Sequence, residues 1–530
     1  MLYVHMILAK DDSFVLIESI SHFSSMVTTY TCSWLRRYSS QFAEEPTEKI
    51  MRKHENQAEM EKLTKIDRIS NLPWDVLDTI LVRLPLKDAA RTSILSRKWR
   101  YKWTGLSQFI LNDKCIHNYV SDKAARWREI RKIIDLVQSN HNGPIEKFKL
   151  AAYCCPNYSD LEQWISFLME KGVKELIIRE FSLVKHFKLP ASVFCCPKLS
   201  HLDLYGCILK LPSLFKGFDC LKILQLSHVS ILSDTLEHLI RNCPVLEKLT
   251  LLNLDHLAYV RIHNSNLTYV KIDSAFEDIC LGHSPLLASV DIRMLPIDGR
   301  IISQQPEQGK VCTLIRVFGY LHGINRLSFS NQFLEFLANN DVPERLPSPF
   351  YSLLTLELKE IRFTSMKGIA ASISILRSSP NLKDLLVTVH PCEDICKPVV
   401  DMMTGQCQSE FYFNQLKVVK IRGIIGTRAE WEFLKLLLAH SPVLESMTIV
   451  KFRGDRFSES FLQEVERASK HVKFINFSVK ACKLFKLIHS CEQELKMISM
   501  EEPFHLEKGK AKMDEPFYCN ISPICQKFGR

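Results

Sequence analysis

One spacing recurs along most of this 530-residue chain: an apolar residue, two variable positions, a second apolar residue, one variable position, and a third apolar residue. It runs through Ile145-Phe148-Leu150, Val173-Leu176-Ile178, Leu199-Leu202-Leu204, Leu221-Leu224-Leu226, Leu246-Leu249-Leu251, Leu267-Val270-Ile272 and Leu287-Val290-Ile292. It continues as Ile324-Leu327-Phe329, Leu353-Leu356-Leu358, Leu382-Leu385-Val387, Leu416-Val419-Ile421, Leu444-Met447-Ile449 and Val472-Ile475-Phe477. Alternation at period two within each triplet places two apolar side chains on one face of a short strand. Successive triplets begin 20 to 37 residues apart, so each strand has room for a return segment before the next. One such unit cannot bury its own apolar face. Stacked neighbours can share a continuous core, which predicts an α/β solenoid with a curved parallel sheet and helices or irregular returns on the convex side.

Proline reinforces the register. Cys196-Pro197, Cys243-Pro244, Ser284-Pro285, Ser379-Pro380 and Ser441-Pro442 each set proline two residues ahead of the first apolar residue of a triplet. Helical patterns precede several of them, over Asp234 to Asn242, Ile369 to Arg377 and Glu430 to His440. Proline is expected to end each helix and fix an extended entry into the strand. The long interval after Leu287, with Pro296, Gly299, Pro306 and Gly309, predicts an interruption, and Pro343, Pro347 and Pro349 predict another loop.

Ahead of the repeats, Asp67 to Leu106 has a different texture. Pro73 suits the first turn of a helix, and Asp75 favours its positive end. Val76, Leu77, Ile80, Leu81 and Leu84 follow at helical spacing, as one apolar face. Leu84-Pro85-Leu86 breaks that helix, because proline disfavours helical geometry in the residue before it. A second helix fits Lys87 to Ile94. Ser96 suits the N-cap of a third helix carrying Trp99 and Trp103 on one face. About forty residues bury little surface alone, so this unit needs a partner or an attached domain. Tyr119 to Val137 predicts a further helix, with Trp127, Ile130, Ile134 and Val137 on its apolar side.

Formal charge is +10, concentrated between Leu86 and Lys132, where twelve basic residues face four acidic ones. A nucleic-acid surface would interleave aromatics as stacking platforms. Here the tryptophans fall at helical core spacing, which points to steering toward an acidic protein partner, with no nucleic acid expected. The 18 cysteines are scattered without zinc spacing, and Cys392 and Cys396 have no second pair. Free buried cysteines in a chain with a good apolar core imply a reducing compartment. No uninterrupted apolar run is long enough to span a membrane. Phosphate-loop, nucleophile-elbow and zinc-protease motifs are missing, so no catalytic residue, metal ligand or cofactor is expected.

Two stretches resemble known modules. Asp67 to Leu106 resembles an F-box in its plant form, where Leu72-Pro73 opens the motif and Leu95-Ser96-Arg97-Lys98-Trp99-Arg100 closes it. Leu416 to Ile449 resembles the FBD region. With leucine-rich repeats between them, the chain is identified as a member of the plant F-box/FBD/LRR-repeat proteins. The resemblance covers roughly Asp67 to Phe477 and implies 67–106 as F-box, 145–415 as repeats and 416–477 as the FBD region continuing the solenoid. From the residues themselves, 1–66 is expected to be a poorly ordered leader, 107–144 a helical linker and 478–530 a partly disordered extension. The resemblance implies a substrate-receptor subunit of a Skp-cullin-F-box ubiquitin ligase, cytoplasmic and/or nuclear. The adaptor-docking residues would be Leu72, Pro73, Val76, Leu77, Ile80, Leu81, Leu84, Pro85, Leu86, Leu95, Ser96, Trp99 and Trp103. Partners would be a Skp-type adaptor, through it a cullin, and an unknown protein substrate. The rival class is a non-ligase repeat scaffold.

Overall fold

A computed structural model describes residues 72–478, apart from short gaps, the longest at 180–186, 297–312 and 452–466. The expected leader and all but Ser478 of the expected C-terminal extension, together with Pro85, Ser96 and Cys396, lie outside the described residues. The chain divides into two compact units: the first holds 1–80 and 94–100, the second 81–93 and 101–530.

Helices α1 (Trp74–Leu81) and α2 (Leu86–Arg91) come first, followed by a 3-10 turn at Thr92–Ile94. Pro73 stands just ahead of α1, its carbonyl accepting from the amides of Val76 and Leu77 at 3.1 Å. Leu84 N–H donates to the Leu81 carbonyl and closes the helix. The expected third helix does not form. Residues 97–101 are turn, Lys102–Gly105 is a single 3-10 turn, and Trp99 and Trp103 are buried nonetheless. Fixing two bulky indoles inside overrides the weak helix preference of this stretch.

In the second unit, strands are β1 (Gln108–Asn112), β2 (Lys147–Ala151), β3 (Glu175–Arg179), β4 (Phe187–Lys188), β5 (His201–Tyr205) and β6 (Cys207–Ile208). Next come β7 (Ile223–Ser227), β8 (Lys248–Leu252), β9 (Tyr259–Ile262), β10 (Tyr269–Ser274), β11 (Asp278–Leu281) and β12 (Ser289–Met294). The last are β13 (Arg326–Ser330), β14 (Thr355–Ile361), β15 (Asp384–Val389), β16 (Val418–Ile424), β17 (Ser446–Lys451) and β18 (Lys473–Ser478). Between them lie α3 (Lys123–Asn140), α4 (Tyr158–Glu170), α5 (Ser233–Arg241), α6 (Thr313–Phe318), α7 (Asn331–Leu337), α8 (Met366–Arg377), α9 (Lys397–Cys407) and α10 (Arg428–His440).

Fourteen strands form one parallel sheet, in the order β1-β2-β3-β5-β7-β8-β10-β12-β13-β14-β15-β16-β17-β18, while β4 pairs β6 and β9 pairs β11. The second and third residues of every repeat triplet fall on a strand of the large sheet, and the first lies one or two residues before it. Its middle residues align: Leu176, Leu202, Leu224, Leu249, Val270, Val290, Leu327, Leu356, Leu385, Val419 and Met447 pair in register and are fully buried. Each such side chain contributes roughly 1.5–3 kcal/mol of apolar burial. The long interval after Leu287 does not break the sheet, because β12 pairs directly with β13.

Three expectations change. The sheet begins earlier than Ile145: β1 lies inside the expected helical linker and pairs with β2, Phe109 beside Phe148 and Leu111 beside Leu150. At the other end, Phe474 rather than Ile475 sits beside Met447, one residue from the expected register. Finally, the prolines do not introduce an extended entry. The amides of Leu199, Leu246, Leu287, Leu382 and Leu444 bond back to the carbonyls of Cys196, Cys243, Ser284, Ser379 and Ser441, forming four-residue turns. Proline takes the second position, where its fixed φ suits a turn.

Candidate functional site

The first unit presents apolar residues outward. Trp74, Val76 and Ile80 on α1 are 39%, 43% and 37% exposed, and Ile94 and Leu95 are 83% and 67% exposed. Leu77 and Leu81 are buried. The single apolar face expected on this helix is therefore two stripes about 100° apart, Val76 and Ile80 on one and Leu77 and Leu81 on the other. Of the residues expected to dock an adaptor, Leu77, Leu81, Leu86, Trp99 and Trp103 are buried within the chain. Pro73, Val76, Ile80 and Leu95 are exposed, and Leu72 and Leu84 are half-buried. Trp74 and Ile94, next to Pro73 and Leu95 in the chain, are exposed large apolar residues that the sequence reading did not single out.

The segment after this unit is held by a helix cap, an aromatic pair, ion pairs and a buried histidine. Asp122 caps α3 by accepting from the amides of Ala124 and Ala125. Trp127 stacks on Trp164 of α4, ring centroids 4.8 Å apart. The α3 cations are partly neutralised: Arg131 lies 3.5 Å from Asp160 and Lys132 lies 2.9 Å from Glu129. His141, at the end of α3, places Nε2 2.9 Å from the Leu106 carbonyl. Burial holds its pKa below the ordinary 6.5, and the Leu106 contact opposes that shift.

The sheet has one buried face and one more open face, so burial alternates along strands such as β2, β10 and β12, while β3, β5 and β13 also bury residues of the second face. Open-face charges are cross-linked between strands. Lys147 pairs with Glu175 at 2.7 Å, and both Nε and Nη2 of Arg179 donate to Oδ2 of Asp203. Further along, Arg293 reaches Glu360 at 2.7 Å and Asp273 at 3.8 Å, while Lys359 meets Asp291 at 2.8 Å. Burial raises the Asp273 carboxyl, offset by Arg293 and Lys271. Glu360 sits at φ +56°, where the β14–β15 register shifts between Leu358 and Ile361.

None of these groups is arranged as a nucleophile with its base. Burial pushes the Cys207 and Cys243 thiols up to about 12, away from thiolate reactivity. Among the described residues, no helix is long and apolar enough to cross a membrane.

Comparison with known proteins follows the same order of parts. The F-box domain model matches residues 69–111. A model for the LRR repeats of FBD-associated F-box protein At5g56370 matches 161–387, and the FBD model matches 413–449. The chain is similar to F-box/FBD/LRR-repeat protein At1g13570 of Arabidopsis thaliana, 33% identical over 393 residues, covering 74% of this chain and 92% of that protein. It is also similar to putative F-box protein At3g58860 of the same plant, 29% identical over 416 residues, covering 73% and 89%. F-box/LRR-repeat protein 13, again from Arabidopsis thaliana, is 26% identical over 429 residues, covering 73% and 90%.

Proposed function

Because the chain belongs to the plant F-box/FBD/LRR-repeat family, we propose that it is the substrate-receptor subunit of a Skp-cullin-F-box ubiquitin ligase, acting in the cytoplasm and/or nucleus. The observation that carries this reading is the outward stripe of Val76 and Ile80, with Leu95 exposed in the same unit, on a helix whose Leu77 and Leu81 are buried. A contiguous apolar surface left in water marks a protein-interaction site, and a few such anchors supply most of the affinity. The adaptor docks there and through it a cullin. The sheet's open face holds a protein target. The receptor itself makes no bond: it raises the local concentration of a target lysine at the conjugating enzyme carried by other subunits.

Capture of a purified Skp-type adaptor tests the reading. The wild-type chain retains the adaptor on a column, and Val76→Asp with Ile80→Asp loses it while circular dichroism is unchanged. Equal capture by that folded variant would remove the docking surface, and no capture by wild type would favour a non-ligase repeat scaffold.

A further inference from the structure

The open face changes character toward its C-terminal end. From β2 to β14 most of its cations have carboxylates on nearby strands: Lys147 with Glu175, Arg179 with Asp203 and Arg326 with Glu357 on adjacent strands, and Lys359 with Asp291 across β13. On β16 the open-face positions are Val418, Lys420 and Arg422, flanked in register by Asp384, Leu386 and Thr388 on β15 and by Ser446, Thr448 and Val450 on β17. Lys473 enters the same face on β18, opposite Ser446. Lys420, Arg422 and Lys473 are all exposed. None makes an ion pair among the described residues. The nearby Lys417 is already matched by Glu445 at 2.8 Å. Asp384 is the one carboxylate on these rows, diagonal to Lys420 and opposite Val418.

We propose that this end of the open face is a target-docking site for an acidic protein segment whose carboxylates alternate with apolar residues. The proposal deepens the receptor reading above and rests on it. Three features select that occupant. Cations held on rigid paired strands keep their spacing before the ligand arrives, so little ordering cost falls on binding. Like-signed charge with no ion-pair partner among the described residues is complementary to a negative segment and repels a basic one. Half-buried Leu386, Val418 and Val450 adjoin the cations on the same face, Leu386 opposite Lys420, Val450 opposite Arg422 and Val418 two residues before Lys420, and offer apolar contacts beside the charges. The open-face rows of β15 to β17 carry no aromatic ring on which a base could stack, while Phe477 on β18 pairs in register with Val450, so oligouridylate is the competing ligand in the test.

The test is fluorescence anisotropy of a labelled octapeptide alternating Glu and Leu, titrated with the full-length chain. Saturable binding is expected, weakened at least tenfold by Lys420→Glu with Arg422→Glu and left unchanged by Lys248→Glu, an exposed lysine elsewhere on the same face. No saturable binding, an equal loss in the Lys248 variant, or tighter binding of labelled oligouridylate than of the peptide would overturn it. Adaptor capture measured on the same preparations separates the two proposals. Peptide failure with adaptor capture intact removes only the docking site, whereas capture failure removes the receptor reading and leaves peptide binding to be judged alone.

Discussion

Trp127 and Asp160, 33 residues apart, meet in a buried hydrogen bond, the indole Nε1 donating to Oδ2 at 3.1 Å. The other carboxylate oxygen faces Arg131 at 3.5 Å, so one acid serves both the core and a half-exposed cation. Asp160→Ala strands the indole N–H away from water, which costs about 1–3 kcal/mol. Asp160→Asn keeps an acceptor and loses only the Arg131 pair, which solvent screens to roughly 1 kcal/mol or less. Denaturant midpoints of the two variants should therefore separate, with alanine the lower. Equal midpoints would show that the hydrogen bond contributes nothing beyond the charge.

Leu77 and Ile80 sit three residues apart and should fail in opposite ways. Leu77 is fully buried, so Leu77→Ala removes core volume and costs about 2–5 kcal/mol. Ile80 is exposed, so Ile80→Asp should leave stability within about 0.5 kcal/mol and abolish adaptor capture. Urea titration and column capture on both proteins give four readings. A stable Leu77→Ala protein that has lost capture would reverse the two roles.

How far the fold could be read from sequence differs along the chain, for physical reasons. The triplets located the strands because each must bury two alternate side chains, and that demand writes itself into spacing. Leu106-Phe109-Leu111 obeys the same template and is fully buried, yet it precedes Ile145 by more than any later interval and the helix α3 intervenes. Spacing alone hides it. In the last strand, Val472, Phe474, Ile475 and Phe477 offer apolar residues of both parities, so two registers fit and pairing with β17 decides between them. On α1, apolar residues occupy both stripes. Sequence supplied the candidates for docking, and only burial separates core Leu77 from surface Ile80.

Two glycines should respond to alanine with opposite signs. Gly423 lies at φ +90°, at the register shift between Arg422 and Ile424, and an added Cβ would meet the Val389 carbonyl oxygen at 2.5 Å. Left-handed geometry costs a non-glycine residue about 1–2 kcal/mol, and the contact adds to that. Gly405 lies within helix α9, with nothing within 4 Å of an added Cβ. Gly405→Ala should stabilise by roughly 0.5–1 kcal/mol, because alanine loses less backbone freedom in a helix. Melting curves of both variants check the pair, and destabilisation by both would refute the reading of Gly405.

His141 sets a pH dependence whose sign can be worked out. Its pKa lies below the ordinary 6.5, chiefly through burial, with the Leu106 carbonyl favouring the charged ring and Lys171 opposing it. Phe109 packs edge-on against the ring at 5.1 Å, so a charge there would be poorly solvated. As pH falls below 6.5, the unfolded chain takes up a proton at this position before the folded chain does. The unfolded state then binds more protons, and stability must fall with acidification, by at most about 1.4 kcal/mol per pH unit for one group. His201 is also lowered by burial and adds in the same direction. Burial raises Asp273 and Glu430, which contribute in the opposite sense. Comparing wild type with His141→Gln cancels these shared terms, since glutamine does not titrate and its amide can still donate to Leu106. Urea unfolding at pH 7.5, 6.5 and 5.5 should show the wild type losing stability more steeply than the variant below 6.5. Parallel curves would mean that His141 is protonated equally in both states, and burial would then have to be removed as the cause of its shift.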